Sequence, residues 1–204
     1  MINEYLIYFF TAFAASLLGA IPFGLVNLSV LQVAVNRGQK ATWPVAYGAT
    51  VIEIGYAIIG LLTGNAIFKL LNNEQTINGF IFWVLTIMGI VFLIRKNQVQ
   101  NSQHSTLGGF FYGVMLNLLS LQVLLYWIIA SGYLISSELL IISPSSVVLF
   151  LAAIWIGKMA VLHAYAVLGR QIITRSQKIS ANINRIIGSI LIALAMINAF
   201  RYFV

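Results

Sequence analysis

The sequence lacks cysteine and aspartate and is poor in charge of either sign. Charged residues make up 7% of its 204 positions, against about a quarter in an average soluble domain. A soluble globular protein is therefore excluded, and the 61% hydrophobic content excludes a disordered chain. The absence of cysteine excludes a disulfide scaffold. Long apolar runs and a mean hydropathy of +0.97 instead predict an integral membrane protein.

Polar breaks divide the chain into apolar segments long enough to cross a bilayer, for which a helix needs about 20 residues. The sequence predicts an all-α integral membrane protein with six transmembrane helices and a single membrane domain over 1–204. The predicted helices are 5–35, 42–64, 77–95, 107–134, 146–168 and 183–204.

Basic residues concentrate in the first, third and fifth connections between these helices, where no acidic residue occurs. They are Arg37, Lys40, Arg95, Lys96, Arg170, Arg175, Lys178 and Arg185. Because lysine and arginine mark cytoplasmic loops, we expect both termini on the outer side of a bacterial inner membrane. The charges lie at helix ends rather than in a cluster with base-reading groups, so no nucleic-acid partner is predicted.

The two halves of the chain resemble each other, with repeat one at about 5–96 and repeat two at about 107–204. Matching positions recur in the same order: Asn27 with Asn117, Gly48 with Gly157, Tyr56 with Tyr165, and Ile77-Asn78 with Ile183-Asn184. Three helices per half force opposite orientations, which predicts a 3+3 inverted-topology repeat. Secondary transporters use this plan and bind substrate between the repeats. The alternative is a duplicated bundle that transports nothing.

Two asparagines are predicted near the middle of the membrane. Asn27 and Asn117 each lie ten residues from a helix end, about 15 Å along a helix. Pro22 and Gly24 lie one turn before Asn27, and proline removes a backbone donor, so we expect the first helix to be kinked or broken there. A half-helix N-terminus exposed by such a break suits a ligand carboxylate. The alternative role of either asparagine is hydrogen bonding between helices.

Glu53 and Lys158 are the ionisable acid and base inside the predicted spans. Charges at that depth are costly and usually pair or line a wet cavity. Glu53 shares a helix face with Tyr56, and Lys158 shares the corresponding face with Tyr165, so both point toward the interface between repeats. Desolvation disfavours an ionised carboxyl there, which makes Glu53 the candidate proton-coupling residue. A static ion pair that locks two helices is the alternative.

Catalytic and metal-binding patterns are not found in the sequence. The sequence has two histidines, no cysteine and no aspartate, so it offers few ligands for a transition metal. No cofactor is predicted. We also expect no enzyme activity. The small-xxx-small patterns Gly60 to Gly64 and Gly109 to Gly113 predict close helix contacts, either within the bundle or in a homodimer.

These motifs together resemble those of LysE-type amino-acid exporters, in the lysine and homoserine–threonine exporter superfamily. The first-helix pattern appears as Pro22-Phe23-Gly24-Leu25-Val26-Asn27, and the second-helix acid corresponds to Glu53. Asn117-Leu118-Leu119 matches the start of the fourth-helix motif, and 183–191 resembles the closing helix. Two positions depart from the pattern, because Leu25 replaces a second proline and Ser120-Leu121-Gln122 replaces an asparagine–proline–lysine step.

The resemblance implies export of amino acids or similar small zwitterions, in exchange for protons. Lys158 is a candidate replacement for the lost lysine. The substrate-binding candidates are Pro22, Gly24, Asn27, Tyr56, Asn117, Ser120, Lys158 and Tyr165. The alternatives are a cation exporter of the same superfamily and a non-transporting membrane subunit.

Overall fold

Every regular element in the described part of the chain is a helix. The computed structural model describes residues 2–21, 24–71, 74–94, 108–175, 185, 188–197 and 199–200. The helices are α1 (Ile2–Ala20), α2 (Leu25–Arg37), α3 (Thr42–Leu71), α4 (Glu74–Ile94), α5 (Gly109–Leu118), α6 (Leu121–Ser136), α7 (Pro144–Arg175) and α8 (Gly188–Ile197).

Local sequence accounts for several helix ends. Gly38 ends α2 with a φ of +85°, a backbone conformation that residues with a Cβ rarely adopt. A 3-10 turn, Gln39–Ala41, then leads into α3. At the start of α7, Ser143 and Ser146 cap each other: each hydroxyl accepts a hydrogen bond from the other residue's backbone N–H.

The predicted first span is broken where the sequence places its proline–glycine step. Between Ala20 and Leu25 the chain turns by 74°, so α1 and α2 form a bent pair. Gly24 is extended at the start of α2, with φ −85° and ψ 176°. Pro22, the predicted cause of the break, lies outside the described residues.

The predicted fourth span, 107–134, is also broken, and the prediction of one continuous helix there is wrong. α5 and α6 meet at 66°. Ser120 leaves the helical region at φ −94° and ψ 63°, and its hydroxyl donates to the Leu116 carbonyl. Serine hydroxyls compete with the backbone for such hydrogen bonds, so a helix can break there without proline.

In the part of the chain that the structure describes, two single helical stretches are long and apolar enough to cross a membrane, namely Gln39–Gly64 and Pro144–Leu168. The two bent pairs raise the number of candidate spans in the described residues to four if each pair is one span. α4 occupies most of the predicted third span. α8 covers the centre of the predicted sixth, and much of the remainder lies outside the described residues.

The helices pack in two similar arrangements. α3 packs mainly against α5 and α6, whereas α7 packs mainly against α1 and α2. The core consists of two apolar clusters, each with residues of both α3 and α7, one around Val30 and Leu162 and the other around Trp127 and Phe150. α3 and α7 also meet each other, and the charged groups lie on this third contact.

Glycines permit the closest of these contacts. A Cβ on Gly48 would lie 2.0 Å from the Phe110 carbonyl oxygen, and one on Gly113 would lie 2.0 Å from the Val45 carbonyl oxygen. Gly60 and Gly64 also lie close to the backbone of α6. The small-xxx-small patterns are thus contacts within the bundle, and the homodimer stays a prediction.

Candidate functional site

Residues from both helix breaks line one cavity, of about 140 Å³. Its polar lining comprises Asn27, Asn117, Ser120, Gln122 and Lys158, and most of the remaining wall is aliphatic. An apolar protein cavity of about 150 Å³ accommodates one benzene molecule, which has six non-hydrogen atoms. The cavity is therefore of a size for a small metabolite.

A buried ion pair lies at one side of this cavity. Lys158 Nζ on α7 lies 2.6 Å from Glu53 Oε2 on α3, and the two side chains are 4% and 2% exposed. Ala49 and Leu162 belong to one apolar cluster and Ala57 and Ile154 to the other, so the pair separates the two clusters. An ion pair this deep repays its desolvation only with close geometry, and removal of one partner leaves a costly unpaired charge.

Lys158 lines the cavity, whereas Glu53 does not. Glu53 therefore lies behind the lysine as seen from the cavity. A lysine ammonium group has three donors, so Lys158 can pair with Glu53 and also donate to a ligand anion.

Asn117 has an acceptor atom without a partner in the described part of the chain. Its Nδ2 donates to the Ala49 carbonyl at 2.6 Å, which fixes the orientation of the amide. The Oδ1 atom is buried and has no hydrogen-bond partner among the described residues. Buried amide oxygens are nearly always hydrogen-bonded, so this atom is available to a donor in the cavity.

Asn27 lines the same cavity but stabilises the first break. Its Nδ2 donates to the Ala20 carbonyl at 2.5 Å, across the bend between α1 and α2. This carbonyl lies at the C-terminal end of α1, where the following residues cannot supply regular helical partners. The amide of Asn27 thus replaces a backbone donor that the break removes.

Two tyrosines that the predicted repeat pairs with each other hydrogen-bond the helix breaks. Tyr165 on α7 donates to the Ile21 carbonyl at 2.6 Å, beside the break between α1 and α2. Tyr56 on α3 donates to the Leu118 carbonyl at 3.1 Å, beside the break between α5 and α6. Each hydroxyl donates to a carbonyl that lacks a regular helical partner because the helix is broken beside it.

The structure brings most predicted site residues together. Gly24, Asn27, Asn117, Ser120 and Lys158 line the cavity, and Glu53 contacts it through Lys158. Tyr56 and Tyr165 do not line it and instead hydrogen-bond its supporting backbone. Pro22 falls outside the described part of the chain.

Among the lining residues that carry a polar group, sequence reasoning missed Gln122 and Tyr126. Gln122 had a usable signal, because it follows Asn117 by five positions just as Gln32 follows Asn27. Tyr126 had none, since one aromatic residue within an apolar run is indistinguishable from a lipid-facing one.

The sequence profile of the LysE type translocator family matches residues 17–200. The chain belongs to this family. LysE members are transporters rather than enzymes, and membership indicates a multi-pass membrane exporter of amino acids or related compounds. No curated protein and no solved structure matches the chain significantly.

Proposed function

We propose that this LysE protein exports small zwitterionic amino acids in exchange for protons, and that the cavity between the two helix breaks is its substrate site. The main support is that Lys158 and Asn117 line the same cavity, and that the Oδ1 atom of Asn117 has no hydrogen-bond partner among the described residues. One supplies donors for a carboxylate, and the other supplies an acceptor for an ammonium group. A zwitterion requires this combination.

The α-carboxylate is proposed to bind Lys158 and the open backbone of the first break at Gly24. Its ammonium group then donates to Asn117 Oδ1. Glu53 lies behind Lys158 and is proposed to respond to the bound substrate through that lysine. Ser120 and Asn27 complete the polar wall, and Tyr56 and Tyr165 hold the two breaks in place.

Glu53 is proposed as the proton-coupling residue. While Lys158 is near, the ionised carboxylate is stabilised. When the helices rearrange and Lys158 moves away, an unpaired buried charge is costly, and the carboxylate takes a proton from the outer side. Return of the lysine with a new substrate expels that proton to the cytoplasm. Substrate and proton then bind alternately, as antiport requires.

A six-span 3+3 inverted repeat is proposed for the architecture. Its support is the reciprocal packing of the second helix of each half against the first helix of the other half. Gly48 of α3 packs against α5, and Gly157 of α7 packs against α1. In the same way, Tyr56 of α3 hydrogen-bonds the break between α5 and α6, and Tyr165 of α7 hydrogen-bonds the break between α1 and α2. Opposed repeats produce such reciprocal pairs and place the site between them.

For orientation, we propose that both termini face the outside of a bacterial inner membrane. The chain is free of cysteine, so single cysteines introduced for labelling meet no background. Cysteines at Gln39, Gln103 and Ser176 should react only from the cytoplasm and one at Asn73 only from outside. Labelling of all three cytoplasmic positions from outside would contradict this orientation.

Flux from vesicles that contain the purified protein tests the function directly. We expect labelled alanine to exchange across the membrane and, under an imposed pH gradient, to accumulate on the acidic side. A parallel screen with divalent cations tests the cation-exporter alternative. Cation flux without amino-acid flux would replace our proposal with that one, and flux of neither in folded protein would indicate a non-transporting subunit.

A further inference from the structure

Tyr126 on α6 is the bulkiest residue in the lining of the cavity. The polar groups are assigned to the charged ends of the zwitterion, which leaves the substrate side chain against the aliphatic wall and this ring. The volume left to the side chain therefore depends on where the ring lies.

Three contacts fix the position of the ring. Its hydroxyl donates to the Ala15 carbonyl on α1 at 2.5 Å. One turn later on the same helix, Gly19 lies against the ring, since a Cβ there would be 2.5 Å from Tyr126 Cε1. On its own helix, the ring packs edge-to-face against the buried Trp127, with centroids 5.3 Å apart.

A side chain held this way does not swing aside for a larger ligand. The hydroxyl is tied to backbone rather than to a mobile side chain, and Trp127 is itself packed edge-to-face against the buried Phe150. With a volume near that of six non-hydrogen atoms, the cavity matches alanine, which has six.

We propose that Tyr126 sets the upper limit on substrate size, so that the site takes amino acids with short side chains and rejects long ones such as leucine. Gly19 contributes by giving the ring room to lie against α1. This inference rests on the proposed function, because it assumes that the cavity holds the amino acid.

Competition in vesicles that contain the full chain tests the inference. Alanine counterflow is measured with unlabelled alanine and leucine as competitors, and the ratio of their inhibition constants is the readout. In Tyr126→Ala, leucine should gain roughly fifty-fold in inhibition relative to alanine. The reason is that leucine has three more side-chain carbons than alanine, and burial of each contributes about 0.8 kcal/mol. Tyr133→Ala is the matched control, because Tyr133 lies on the same helix and is 54% exposed on the outside of the bundle.

Gly19→Ala tests the same wall in the opposite direction. Gly19 itself lines the cavity, so the new methyl group should reduce the space for the ligand, and alanine should compete less well while glycine still does. Tyr126→Leu gives an intermediate shift toward leucine and serves if the alanine variant does not fold. An unchanged alanine-to-leucine ratio in folded Tyr126→Ala or Tyr126→Leu would overturn the size limit but not the exporter. Wild-type vesicles without alanine counterflow would overturn the proposed function and this inference with it.

Discussion

The two helix breaks differ in how they are stabilised. In the α1–α2 break, Asn27 follows the bend, and its amide bonds the local carbonyl of Ala20. In the α5–α6 break, Asn117 precedes the bend, and its amide bonds the Ala49 carbonyl of α3 in the other half. The Nδ2 atom of Asn27 therefore stabilises its own broken helix, whereas the Nδ2 atom of Asn117 joins two helices, and Asn117 keeps an acceptor oxygen without a described partner.

The two halves of the chain also differ in their charged residues, although their helices are arranged similarly. In the register that aligns Gly48 with Gly157, Lys158 corresponds to Ala49 and Glu53 corresponds to Leu162. The ion pair is therefore not a duplicated feature, since neither charge has a charged counterpart in the other half. Each half provides one broken helix beside the cavity. Only the second half provides the lysine donor at position 158, and only the first half provides the acid at position 53.

The largest effect is expected from separating the two charges. Lys158→Met leaves Glu53 buried without its partner and should lower the free energy of unfolding by about 3–5 kcal/mol. The double variant Lys158→Met with Glu53→Leu should recover most of that loss, because two apolar residues of similar size replace the pair. Denaturant unfolding in detergent measures both.

Lys40→Met is the control for that series, since Lys40 is exposed and its loss should change stability by less than about 0.5 kcal/mol. A Lys158→Met protein as stable as wild type would show that the pair contributes no stability and that the charges are independent.

Substitution of Asn117 should mainly lower substrate affinity, whereas substitution of Asn27 should mainly lower stability. Asn117→Leu removes the acceptor for the substrate ammonium group, and hydrogen bonds to charged groups are worth about 1.5–3 kcal/mol. Alanine affinity should therefore fall about ten- to a hundred-fold, as measured by counterflow competition. Asn27→Leu should mainly lower thermal stability, because the Ala20 carbonyl loses its donor. A greater loss of affinity from Asn27→Leu than from Asn117→Leu would reverse the assigned roles.

Smaller effects are expected from the two tyrosine hydroxyls. Tyr165→Phe and Tyr56→Phe each remove one hydrogen bond to a break carbonyl and should cost about 0.5–1.5 kcal/mol of unfolding free energy, measured by denaturant unfolding. The Tyr165 variant should cost more, because its bond is 2.6 Å against 3.1 Å and its side chain also hydrogen-bonds Asn27. Equal unfolding free energies for Tyr165→Phe and wild type would exclude a structural role for the Tyr165 hydroxyl.

Local rules predict some of this structure and fail where tertiary contacts decide. The break before Asn27 follows from the effect of a proline–glycine step on its own helix. The serine at position 120 permits a break in α5–α6 but does not require one, and the Leu118 carbonyl beside the break accepts from the Tyr56 hydroxyl, 62 residues away. Helical periodicity places Glu53 and Lys158 toward one interface, but their 2.6 Å contact requires the crossing of α3 and α7. The wall at Tyr126 depends on the space beside Gly19, which no spacing rule encodes.

The most direct test of the proposed proton–substrate exchange is pH-driven accumulation by Glu53→Gln in vesicles, with exchange measured in the same preparation. The substituted amide cannot alternate between charged and neutral forms, so a folded variant should still exchange alanine but no longer concentrate it on the acidic side. Glu138→Gln, which alters an exposed acid between α6 and α7, should accumulate alanine as wild type does. Accumulation by Glu53→Gln at the wild-type level would contradict the assignment of Glu53 as the coupling residue.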